Sequence, residues 1–126
     1  MAEITSAGYV NLRNAIDGTA KKWKFIEIQR SNGTKIVRRE IGVAGSGATF
    51  EAREGTGNKT IVIKLILNGN DSDMPTLPVT VAKSILKDTD DDSAPALSSE
   101  QLSSSFEFKD GLDTLTIFHK VHVPGD

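Results

Sequence analysis

Ile61-Val-Ile-Lys-Leu-Ile-Leu67 is the most apolar stretch of the chain, and Lys64 is its only charge. Side chains alternate faces along an extended backbone, so Ile61, Ile63, Leu65 and Leu67 share one side. Val62 and Ile66 share the other side with Lys64. A strand apolar on both faces is normally covered on both, which predicts a central position in a sandwich or compact barrel. The polar residues then decorate a β scaffold.

Working outward, Asn68-Gly-Asn-Asp-Ser-Asp-Met-Pro75 is composed of residues that favour turns over ladders. Past Pro75 and Pro78, Val79-Thr-Val-Ala-Lys-Ser-Ile-Leu86 reads as another strand. On the upstream side, the glycine-bearing turn Glu54–Asn58 joins the apolar run to a short strand, Ala48–Arg53. Before it, Trp23–Arg30 and Lys35–Ile41 form a hairpin, because Asn32-Gly33 tolerates the positive φ angles of a tight two-residue turn. Gly42–Gly47 is a flexible connection. Asp88–Gln101, acidic and then rich in serine and alanine, reads as a long surface loop. A second hairpin, Ser104–Phe108 with Leu115–Val123 across Asp110-Gly111, closes the chain.

The N-terminal segment is the one good helix. Thr5 or Ser6 caps it, Tyr9, Leu12 and Ile16 recur at helical spacing, and Gly18 follows as a stop. Gly8, Asn11 and Asn14 lower its propensity, so packing must hold it. The reading is a single mostly-β domain over 1–126, with a helix at 5–17 and a sandwich or barrel of about seven antiparallel strands over 22–123. The acidic loop occupies 88–101.

A chain of 126 residues buries a sufficient core without staples. Net charge is -2, which supplies no field to gather nucleic acid or anionic lipid. With no cysteines, disulfides, thiolate metal sites and a cysteine nucleophile are excluded. Met1–Gly8 lacks the basic and apolar regions of a secretory leader, and the longest apolar run is too short to span a bilayer. The expectation is a protein made in a cytoplasm without a signal peptide, with no nucleic-acid or membrane partner.

Candidate chemistry is sparse. Asp88, Asp90 and Asp92 alternate as the first ligands of a calcium loop do, which makes them candidate calcium ligands, joined by Asp71 and Asp73 if the loops meet. Ser93 stands at that motif's glycine position and Ser99 at its closing glutamate, so a solvated acidic loop is the competing reading. His119 and His122 are three residues apart in a strand and face opposite sides, so they cannot share one zinc. Neither has a recognisable nucleophile beside it in sequence, and the expectation is a chain with no catalytic residue and no cofactor. Gly42, Gly45 and Gly47 lack the lysine-serine pair of a phosphate loop and read as linker. Lys21, Lys22, Lys24 and Arg38-Arg39 form a basic cluster near Trp23, read as charged strand-edge protection around a core aromatic.

The order of segments resembles the N-terminal attachment domain of bacteriophage tail-fibre and tail-associated proteins. The resemblance runs through Ile4-Thr-Ser-Ala-Gly8 and the helix to Ile16, the strand Trp23–Ile28, Thr49-Phe-Glu-Ala52 with Gly55-Thr-Gly57, the run Ile61–Leu67, and Asp113-Thr-Leu-Thr-Ile117. The charged hairpin through Asn32-Gly33 and the acidic loop at Asp88 lie outside that pattern. The resemblance implies a non-catalytic structural or adaptor component of a virion or tail-like particle. Its partners would be other virion or tail proteins and copies of itself, and Tyr9, Leu12, Ile16 and Trp23 are its candidate interface. A β-sandwich binding module for carbohydrate or a host surface molecule, with calcium assistance, is the alternative. A small hydrolase using His119 or His122 ranks below both.

Overall fold

The apolar run lies in the middle strand of a three-stranded sheet. The computed structural model describes residues 2–18 and 22–125; Lys21 of the basic cluster falls outside them. Among the described residues are one α-helix, α1 (Ser6–Asp17), and seven strands: β1 (Phe25–Gln29), β2 (Lys35–Glu40), β3 (Ala48–Glu54), β4 (Thr60–Asn68), β5 (Val79–Lys87), β6 (Ser98–Phe108) and β7 (Thr114–His122). They form two antiparallel sheets, ordered β2-β1-β5-β6 and β3-β4-β7. The fold is mostly β, an open two-sheet sandwich rather than a closed barrel.

Ile61, Ile63, Leu65 and Leu67 of β4 are fully buried, facing Ile26 and Ile28 of β1, Val81 and Leu86 of β5 and Phe108 of β6 in one core. Each such side chain contributes about 1.5–3 kcal/mol by leaving water. The expectation that β4 is covered on both faces holds only in part. Val62 on the outer face is buried, yet Ile66 is 38% exposed, because a two-layer fold has no third layer to cover it.

Three details depart from the expectations. The first hairpin turns through three residues: Arg30 N–H donates to Thr34 O and Gly33 N–H to Arg30 O, with Gly33 alone at positive φ, +87°. A left-handed glycine closing a three-residue loop fits the right-handed twist of the strands without requiring positive φ at Asn32. Second, Ser98–Gln101 belongs to β6 and pairs with β5, so the acidic loop spans only 88–97. Third, β6 and β7 are not a hairpin: the turn at Asp110–Asp113 carries the chain from one sheet to the other. Asp113 Oδ2 accepts from the Lys109 and Asp110 amides, and Asp113 O accepts from Gly69 N–H, pinning the crossing to the end of β4.

Helix α1 docks at one end of the sandwich. Thr5 caps it by accepting Gly8 N–H at 3.1 Å, and the Gly18 amide closes it on Asn14 O. Its inward face carries Ile16, fully buried, and Arg13, which donates to Val123 O at 2.9 Å and Gly125 O at 2.8 Å. Asp17 receives Arg53 of β3. The helix, weak in propensity, is held by these tertiary contacts. Among the described residues no helix is long and apolar enough to cross a membrane.

Candidate functional site

The outer face of the four-stranded sheet carries the densest chemistry. Glu27 on β1 sits directly opposite Arg38 on β2, and Lys87 on β5 lies diagonally across from it. All three side chains are nearly enclosed, at 3–4% exposure. Glu27 Oε1 takes Arg38 Nε at 3.3 Å and Lys87 Nζ at 3.1 Å, and Oε2 accepts from Gln29 Nε2 at 2.6 Å. Buried charges on a sheet's outer face need cover as well as partners. The cover is the acidic loop 88–97, which folds back over the strands as a strap.

Asp90 and Asp92 both turn onto Arg38, Asp92 also reaches Lys35 at 3.5 Å, and the Asp91 and Asp92 carbonyls accept from Lys87 Nζ at 3.1 and 3.2 Å. The Arg38 guanidinium and then Lys35 hold the Asp92 carboxyl below the usual carboxylate range. Asp91 is lowered by the Ser93 amide and hydroxyl, which close a local turn. Between strap and sheet remains a cavity of about 550 Å³. Its floor is Glu27, Gln29, Ile85 and Lys87, the hairpin residues Thr34 and Lys35 wall it, and Asp92, Ala94 and Ala96 roof it.

This arrangement bears on the calcium candidates. Asp88 is exposed just past β5, while Asp90 and Asp92 spend their charge on arginine and lysine. Asp71 and Asp73 do not join them. They grip Arg39, which donates to Asp73 through Nε and Nη2 at 2.7 Å each and to Asp71 through Nη2 at 3.0 Å. Burial would raise the Asp71 carboxyl, but the Asn68 amide and Arg39 together hold it low. Each acidic loop is thus held by one of two consecutive arginines. Among the described residues no three acidic or histidine side chains gather as a metal would require.

The histidines separate as their spacing predicts: His122 is exposed and His119 fully buried. His119 reaches from β7 across the core, with Ser84 Oγ of β5 at 2.7 Å from Nδ1 and Ser98 Oγ of β6 at 2.9 Å from Nε2. Burial lowers its pKa to about 4. Ser84 is 1% exposed and Ser98 half-buried, and through them the ring bridges the two sheets.

The candidate interface residues divide. Leu12 is 38% exposed, whereas Tyr9 and Trp23 are half-buried against the core and Ile16 is wholly inside it. Ile16 is therefore corrected to a core residue, because the face that repeats at 9, 13 and 16 is the one that docks. Val10 of the helix is also exposed, at 47%, and so is Ile4 just ahead of the cap, at 55%, whose side chain lies beside Gly8 one turn before Leu12. The Glu27–Arg38–Lys87 cluster was not singled out from sequence. Its available signal was charge matching between Arg38-Arg39 and two separate acidic runs.

The fold and these sites define a small antiparallel β-sandwich, capped by a helix and strapped by internal ion pairs. Comparison with protein-family models, with curated proteins and with solved structures finds no match to the chain.

Proposed function

We propose that this chain is a non-catalytic assembly domain, a structural or adaptor component of a virion or tail-like particle that works through protein–protein contacts. The observation that carries the reading is the state of α1. The helix is locked onto the sandwich by Ile16, Arg13 and Asp17, yet it turns Leu12 to solvent, with Ile4 exposed just ahead of its cap. An apolar strip on a rigid mount suits burial against another subunit. The strands β2, β3, β6 and β7 each end a sheet and offer further edges. For the alternative carbohydrate module, the acidic loops it would use are already paired with Arg38 and Arg39.

The test is the mass of the native assembly. The purified chain should associate with itself or copurify with particle components, and Ile4→Glu with Leu12→Glu should abolish that while leaving the far-ultraviolet spectrum intact. A chain that stays monomeric at high concentration and captures no particle component overturns the reading.

A further inference from the structure

The two segments outside the resemblance, the hairpin through Asn32-Gly33 and the acidic loop, meet in space: both line the cavity on the outer face of β1, β2 and β5. Glu27 is paired with Arg38 and Lys87, and with Lys35 at the rim this face holds three cations against one carboxylate, two positive charges in excess. Asp90 and Asp92 supply the two opposing charges. The halves of this contact are unequal. Arg38 and Lys87 are buried at 4% and 3% exposure, whereas the Asp90 and Asp92 side chains are 72% and 78% exposed and approach from the solvent side. The floor is fixed in the sheet. Ion pairs made from solvent are individually weak, so the strap is the exchangeable partner. It also arches over its floor without filling it, leaving about 550 Å³ with Lys35 at the rim, 44% exposed.

We propose that the face around Lys35, Arg38 and Lys87 is a docking site for an extended acidic peptide segment of a partner protein, occupied in cis by Asp90–Asp92 until the partner displaces them. Charge complementarity selects the occupant: the chain's own acidic stretch shows which chemistry the floor accepts. Ile85 and the alanines Ala94 and Ala96 offer apolar contact beside it, which a bare inorganic anion would not use. The site is separate from the Ile4–Leu12 strip and stands whether or not that strip assembles a particle.

The probe is a fluorescent synthetic peptide with the chain's own Asp88–Ser93 sequence, titrated into the full chain at low salt and read by anisotropy. A strap open about a tenth of the time weakens apparent binding about tenfold. Asp90→Asn with Asp92→Asn should therefore bind the probe about tenfold more tightly than the unmodified chain. Adding Lys35→Gln should remove that gain. Equal affinity in both chains, or binding by neither, overturns the proposal, as does full displacement of the probe by inorganic phosphate at equal charge. Should the double variant not fold, amide chemical shifts of the unmodified chain decide. Peptide-induced shifts at Thr34, Lys35 and residues 88–97 support the site, and shifts elsewhere or none overturn it.

Discussion

His119 shows how one residue couples the two layers. Its ring is held by hydroxyls from both strands of the opposite sheet that it reaches, and burial keeps it neutral with a pKa of about 4. The unfolded chain binds a proton near the ordinary histidine value of about 6.5, above the folded one, so stability is full above that pH and falls as pH drops toward 4. The loss should reach about 3 kcal/mol and then level off, since below both values each state carries the proton. Urea midpoints measured from pH 7 to pH 4 should show this decline, and His119→Gln should flatten it. Glu27 poses the opposite problem, a buried anion shared by two buried cations. Glu27→Ala should cost about 3–5 kcal/mol in urea unfolding, because Arg38 and Lys87 would remain enclosed without it.

At the scale of the element, two bulges decide which side chains meet the core. Between β1 and β2 the register slips at Ile28/Gln29, and the consecutive β2 residues Ile36 and Val37 are both buried. Between β5 and β6 the pairing steps from Val81 with Phe106 to Lys83 with Gln101, and the inward positions of β5 change from Val79 and Val81 to Ser84 and Leu86. That change carries Ser84 to His119 and puts Ile85 under the acidic strap, which alternation read from Val79 could not foresee. In β4, which has no slip against β7, alternation alone is sufficient. Ile63→Ala should accordingly cost about 2–5 kcal/mol, read as a lower denaturation midpoint with an unchanged slope. The crossing between sheets has its own demand. A Cβ at Gly69 would stand 2.1 Å from the Asp110 carbonyl oxygen, so Gly69→Ala should push the β4 and β6 exits apart and lower the melting temperature by several degrees, about 4–8 °C per kcal/mol lost in a domain near this size.

For the whole molecule, helix and both sheets contribute to one hydrophobic cluster, with Ile16, Ile26, Leu65 and Phe108 all in it. A shared core predicts a single cooperative transition, in which Trp23 fluorescence and far-ultraviolet circular dichroism give coincident unfolding curves. Two separated transitions would contradict it. The β class, the capped helix, the strand runs and the central place of β4 were legible from apolar periodicity and turn residues. The last two strands were misjudged because Asp110-Gly111 marks a turn without saying which sheets it joins. The acidic run was legible as a loop but not as a strap, since its partners Arg38 and Lys87 are distant in sequence from most of it or hidden in a strand.

What the chain determines locally is therefore the alternation, the caps and the turns, because each depends on side chains within a few residues of one another. Which strands pair, which aspartates meet which arginine, and which histidine is sealed between serines were decided only by tertiary structure. Those outcomes depend on register and on long-range Coulomb and burial energies, and a local slip of pairing is enough to redirect them.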